Sequence, residues 1–245
     1  MLKNRIITAL AIAFVALAAI FFLPLWAFSL FFLLAAGFGV FEWAGFVGLE
    51  SLKAKLLYTG LFALLAGLLY LEKDYFADFI VVVSIIWLFA IASILIYPRG
   101  ESLYRNPWFV GVLGLVIMLG AWVSLCMLRA HEQGALWLGW LFVLTTATDV
   151  GAYFVGKSFG KNRLAKQLSP GKTWEGAVGG GICATLICAS ALIFWQSYTW
   201  GDALLLTILL VCIAVFGDLF ESLLKRTSGV KGSGTILPGH GGVLD

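Results

Sequence analysis

The chemistry in this chain gathers toward its C-terminal end. The stretch GDLFESLLKRTSGVKGSGTILPGHGGVLD, residues 217–245, places Glu221 three residues after Asp218 and Lys225 three after Ser222. If a helix runs through them, these four side chains share one face. Arg226 and Lys231 follow, then five glycines between Gly232 and Gly242, with His240 among them and Asp245 last. A carboxylate beside glycines reaches a metal without steric hindrance. Oxygen ligands such as Asp218 and Asp245 suit Mg²⁺, which takes one or two protein carboxylates and leaves further positions to substrate phosphates.

A second cluster lies upstream, in GKSFGKNRLAKQLSPGKTWEG, residues 156–176. Five basic residues fall between Lys157 and Lys172 with no acid among them. Glycines, hydroxyls and lysines are mixed in the way a phosphate-rich ligand requires. The run Gly-Lys-Thr-Trp-Glu also reads as a helix start, whose N–H groups favour an anion. Just before it, GAYFVGKS at residues 151–158 matches the P-loop pattern G-x-x-x-x-G-K-[ST]. A working P-loop follows a strand and opens a helix. Here the preceding WLGWLFVLTTATDV is the body of an apolar helix, and Tyr153 and Phe154 would block close backbone approach, so the match is read as accidental. SPGKT at 169–173 is a near miss, with Lys166 where the leading glycine would stand.

The elements that must position these residues are membrane helices. The 245 residues are 62% hydrophobic and 12% charged, with a mean hydropathy of +1.01. A soluble domain needs more polar surface than that. The expected fold is all-α and polytopic, a single membrane domain over 1–245 with N-terminal helices in 1–134 and a catalytic region with cytosolic loops in 135–245. Eight spans are expected: Ile6–Leu23, Leu25–Gly48, Leu56–Leu71, Phe79–Tyr97, Trp108–Leu128, Ala135–Val155, Gly176–Trp195 and Ala203–Phe220. Pro24 divides the first two, as a tight hairpin rather than one kinked helix. The first span is too long for the apolar core of a signal peptide.

With the N-terminus cytoplasmic, the C-terminus is cytoplasmic too. Fourteen Lys and Arg residues then fall on the cytoplasmic side and two, Lys73 and Arg129, on the other. That bias supports the orientation. Glu42, Asp149, Glu175 and Asp218 all land in the cytoplasmic half of their spans. Charges at membrane depth face a cavity or a partner, so a polar cavity open to the cytosol is expected. For Glu42, helix packing is an equal alternative. Cys126, Cys183, Cys188 and Cys212 lie in apolar runs and suggest neither a disulfide framework nor a zinc site. Two histidines, His131 and His240, are too few for a histidine metal cluster.

The stretches D-V-G-A-Y-F-V-G-K-S-F-G-K … S-P-G-K-T-W-E-G and G-D-L-F-E-S-L-L-K-R … K-G-S-G … L-P-G-H-G-G-V-L-D resemble the phosphatidate cytidylyltransferases, or CDP-diacylglycerol synthases. The resemblance is dense from Asp149 to Asp245, about 40% of the chain. It implies an integral membrane enzyme, commonly dimeric, that joins CTP to phosphatidic acid and releases pyrophosphate. It also implies a bacterial inner-membrane location, a cytosol-facing site, Mg²⁺ as cofactor with a second cation left open, and no nucleic-acid partner. Carried over by position, Asp218 and Asp245 are expected metal ligands. Asp149, Lys172, Asp218, Lys225 and Arg226 are the expected catalytic residues. Lys157, Ser169, Thr173, Ser222, Lys231 and His240 are the expected substrate-binding residues.

Two departures qualify the resemblance. Gly232 stands where the family signature has Asp after the lysine, and the family continues past the final Asp with an Arg, another Asp and a last helix. They keep open a catalytically impaired relative that binds without turnover. A membrane CTP-dependent lipid kinase would share a basic cavity with carboxylates, but the C-terminal signature argues against it. An anion transporter would show inverted repeats, and none is visible. Gly176 and Gly180 form a G-x-x-x-G, expected to serve close helix packing, with a dimer contact as the alternative.

Overall fold

The structure is a computed structural model that describes residues 2–230, 232–234 and 241–244, with side chains from residue 7 onward. Lys231, His240 and Asp245, all expected at the site, lie outside the described residues. The long helices are α1 (Leu2–Phe22), α2 (Leu25–Phe46), α3 (Leu52–Leu71), α4 (Phe76–Ile96), α6 (Pro107–Ala130), α7 (Gly134–Phe159), α8 (Trp174–Gln196) and α9 (Trp200–Thr227), with a short α5 (Glu101–Tyr104) between α4 and α6. In hydrocarbon every backbone N–H and C=O must be satisfied within the segment, and helices do this. Each expected span falls on one of these helices. Those from α2 onward, α5 excepted, are long and apolar enough to cross a bilayer, and α1 contributes an apolar stretch over Ile7–Phe22.

The outside of the molecule is apolar. Phe14, Phe22, Trp108 and Phe194 are 75–88% exposed, as lipid-facing side chains are. Trp26, Trp108, Trp174 and Trp200 stand exposed in the first two positions of α2, α6, α8 and α9. Indoles at helix ends favour the headgroup layer.

Helix ends are fixed by local chemistry. The Ser51 hydroxyl accepts the Ala54 N–H at 3.1 Å and caps α3. Asn106 caps α6 with Pro107 in its first turn. α1 ends at Phe22, two residues before Pro24, and carbonyls at this end find a distant donor. Arg129 donates to Ile20 O and Leu23 O, both at 3.1 Å.

The chain divides into two compact units, residues 1–136 with 224–245, and residues 137–223. The sequence grouping kept 224–245 with the region from 135 onward. In the structure Glu42 on α2 receives hydrogen bonds from Ser233 and Leu244, which ties the last residues to the N-terminal helices.

In the first unit α6 is the central helix. Val40, Phe62, Trp122 and Val123 are among its buried core. Glycines on α6 let neighbours approach: a Cβ at Gly114 would collide with the Trp43 indole, and one at Gly120 would lie 2.7 Å from Val83. The Trp43 Nε1–H donates to Val110 O at 3.0 Å, and the Tyr58 hydroxyl donates to Gly111 O at 2.6 Å. Trp43 and Tyr58 thus keep their polar tips satisfied.

The second unit holds α7, a hairpin, α8 and the body of α9. Trp140, Leu144, Cys188, Leu192 and Val211 form its core. α7 and α8 meet backbone to backbone. A Cβ on Gly151 would sit 2.9 Å from Gly180 Cα, and one on Gly176 would sit 2.9 Å from Ala152 O. The G-x-x-x-G of α8 therefore serves close packing within this unit.

Beside the helices, β1 (Arg163–Ala165) and β2 (Ser169–Thr173) pair antiparallel, Arg163 with Thr173 and Ala165 with Ser169. Lys166, Gln167 and Leu168 turn the chain between them. Outside the apolar helices the basic loop has water to solvate one strand edge, so so short a ladder is tolerated.

Candidate functional site

The second unit contains a cavity of about 410 Å³. α7 supplies one wall. Asp149, Ala152, Tyr153 and Gly156 recur at spacings of three and four, so one helical face looks into the space. The hairpin supplies Gly171, Lys172 and Thr173, and α9 supplies Val215 and Asp218 three residues apart.

The P-loop match is helix. Residues 151–158 lie wholly inside α7, so their amides are spent on the helix ladder rather than on a phosphate. Lys157 still reaches the cavity from that helix, and its ammonium stands 5.7 Å from the Tyr153 ring centroid.

The hairpin is held at its base by one carboxylate. Glu175, in the first turn of α8, accepts the backbone N–H of Lys161 at 3.1 Å, the backbone N–H of Asn162 at 3.1 Å and the Asn162 side-chain amide at 2.7 Å. Asn162 O in turn accepts the Trp174 N–H at 2.9 Å. Thr173 caps α8, its hydroxyl accepting the Gly176 N–H at 3.1 Å. Two amides of the α8 start are therefore taken by protein groups, and the helix end offers an anion less than the sequence suggested.

Lys172 and Asp218 form an ion pair, with side-chain exposures of 28% and 46%. Asp149 shares the cavity with them. Two carboxylates, two lysine ammoniums and the Thr173 hydroxyl thus line one space. Among the described residues, no group of three or more His, Cys, Asp or Glu side chains converges as a metal cluster. Asp149 and Asp218 nevertheless fit a hard divalent cation. Mg²⁺ commonly takes one or two carboxylates and completes its shell with water and phosphate.

Of the expected residues, Asp149, Lys157, Lys172, Thr173 and Asp218 come together here. Ser169 opens β2 and Ser222 lies on α9, and neither lines the cavity. Lys225 and Arg226 occupy the last turn of α9 and group with the first unit. α9 does continue through Asp218, Glu221, Ser222 and Lys225, which meets the condition under which they share a face. Sequence reading missed Tyr153 and Gly156, although both follow Asp149 at helical spacing. It also missed the structural task of Glu175, which a carboxylate directly after a helix start signals.

The comparisons bear on the whole chain. The profile of the cytidylyltransferase family matches residues 3–245. The chain is 38% identical over 249 residues to a phosphatidate cytidylyltransferase of Pseudomonas aeruginosa, covering all of this chain and 91% of that protein. It is 32% identical over 268 residues to one from Haemophilus influenzae, covering all of this chain and 93% of that protein. It is 37% identical over 165 residues to the Bacillus subtilis phosphatidate cytidylyltransferase, covering 64% of this chain and 60% of that protein.

Proposed function

The chain belongs to the cytidylyltransferase family, and from that membership we propose that it transfers the cytidylyl group of CTP to phosphatidic acid, giving CDP-diacylglycerol and pyrophosphate. It is a nucleotidyltransferase and an integral membrane protein. The observation that carries the substrate reading is the Lys172–Asp218 pair in a cavity shared with Asp149 and Lys157, within a unit built of lipid-length helices.

In the reaction a phosphate oxygen of the lipid attacks the α-phosphorus of CTP. A new P–O bond forms there as the α–β bond breaks, and pyrophosphate leaves in line. Two anions must meet, so the site must chiefly neutralise charge and align the reactants. Lys172 and Lys157 supply positive charge beside the phosphates. Thr173 Oγ and the open backbone at Gly171 leave room for phosphate oxygens along β2. No general base is required, because a phosphate monoester is ionised at neutral pH. We propose Mg²⁺ as cofactor: Asp218 and Asp149 are the cavity carboxylates that would hold it, Asp245 is the further ligand expected from sequence alone, and the bound ion would supply charge neutralisation at the leaving pyrophosphate.

The same reading places the enzyme in the bacterial cytoplasmic membrane with its site facing the cytosol. The asymmetry of fourteen cationic residues against two supports that orientation. A homodimer rests on the family resemblance.

The test is transfer of label from α-labelled CTP into phosphatidic acid in mixed micelles with Mg²⁺. Labelled lipid that needs both phosphatidic acid and Mg²⁺, and that disappears with a chelator, is the expected result. A folded preparation that puts no α-label into lipid, or that transfers the γ-phosphate instead, overturns the proposal.

A further inference from the structure

α2 carries a carboxylate that the reaction above does not use. Glu42 is 4% exposed, on a helix otherwise built of apolar and small residues. A buried carboxylate is costly unless it is hydrogen-bonded. Its Oε2 accepts the Ser233 hydroxyl at 3.1 Å and the Leu244 backbone N–H at 3.0 Å. These donors lie 191 and 202 residues further along the chain, so the contact is tertiary and specific.

The glycines of the segment match this contact. A Cβ on Gly234 or on Gly242 would run into the Glu42 carboxylate. Gly241 has φ +119°, a conformation side chains rarely adopt. The backbone thus approaches the carboxylate at two places where an added Cβ would displace it. Among the described residues Oε1 makes no hydrogen bond.

We propose that Glu42 is a positioning residue for the transfer reaction. Its buried carboxylate ties Ser233 and Leu244 to α2. It thereby holds Ser233 and, immediately before Asp245 in the sequence, Leu244. The role of Glu42 in catalysis rests on the cytidylyltransferase reading, whereas its hold on the segment does not.

The variants are Glu42→Ala, Glu42→Gln and Ser233→Ala in the full chain. Gln keeps the volume and one acceptor oxygen, enough for both donors. Two readouts are taken: kcat and KM for CTP, and hydrogen exchange of peptides from residues 228–245 and 137–223. Expected for Glu42→Ala is a fall in kcat of about tenfold or more with KM changed less than about threefold, because misplacement costs rate more than binding. Exchange in 228–245 rises while 137–223 is unchanged. Glu42→Gln stays within about threefold of the parent in both, and Ser233→Ala falls between, having lost one of two hydrogen bonds.

Unchanged exchange in Glu42→Ala overturns the proposal. So does a Gln variant as impaired as Ala, which would mean the charge is needed. A rise in exchange throughout 137–223 would make Glu42 a general stability residue and also overturns it. A parent protein that makes no labelled lipid defeats the proposed function instead, and the exchange arm then decides whether Glu42 holds the segment.

Discussion

Lys172 on the hairpin and Asp218 on α9 are ion-paired on the wall of the cavity. Both are partly exposed, and a pair of that kind contributes little net stability. Exchange of the lysine to a phosphate, and of the carboxylate to a cation, is therefore inexpensive. Lys172→Met is expected to lower kcat/KM for CTP about a hundredfold, and Asp218→Asn to lower kcat by at least as much. Because the residues are partners, the double variant is expected to lose less than the product of the single losses. Initial rates of label transfer for the four proteins measure this. Multiplying effects would show that the two side chains act separately.

Glu175 pins the hairpin through three donors from Lys161 and Asn162. Glu175→Ala releases that base without touching the cavity wall. KM for CTP is expected to rise about tenfold, because the lysine-bearing strand must be ordered anew on binding. Trypsin cleavage at Lys161, Arg163 or Lys166 in the detergent-solubilised protein is expected to quicken in parallel. A variant with parental KM and parental cleavage would show that the strand pairing alone holds the hairpin.

Gly180 lies where α7 and α8 touch. A methyl group there would stand 2.8 Å from Ala152 N, a backbone atom that moves only with its helix. Gly180→Ala is expected to destabilise the protein by about 1–3 kcal/mol, as overpacking does. Thermal unfolding in detergent reads this. An unaltered melting temperature would mean that the two helices separate at little cost.

Arg129 satisfies two carbonyls at the end of α1. Arg129→Met leaves both without that donor and is expected to destabilise by about 1–3 kcal/mol. Activity per folded molecule is expected to stay at the parental level. Lower specific activity at unchanged stability would assign Arg129 to the reaction.

The sequence and the structure agree where local pattern decides. Apolar runs mark every long helix, since backbone satisfaction in lipid leaves no other choice. The P-loop match was rightly discounted, because WLGWLFVLTTATDV could only be helix. The face shared by Asp218, Glu221, Ser222 and Lys225 followed from spacing once α9 ran past Phe220. Agreement stops where tertiary contact decides. Strands as short as Arg163–Ala165 carry no period to detect, and SPGKT reads as a turn until Arg163 is set opposite Thr173. Glu42 could be read as a packing acid or a cavity acid, because its donors lie some two hundred residues away. Thr173, expected beside phosphate, lines the cavity and also caps α8, a second role that its position before Trp-Glu-Gly permits.

Trp174, exposed at the first position of α8, directly follows Thr173 and Lys172. An indole at a helix end favours the level of the lipid headgroups, and on the proposed function the two cavity residues beside it work at that depth. A phosphate-headed lipid carries its own reacting oxygen at the same height. The bilayer then acts as a ruler: the acceptor needs no lifting out of the membrane, and its search for the site is lateral diffusion in a plane. Only the water-soluble nucleotide has to arrive from bulk.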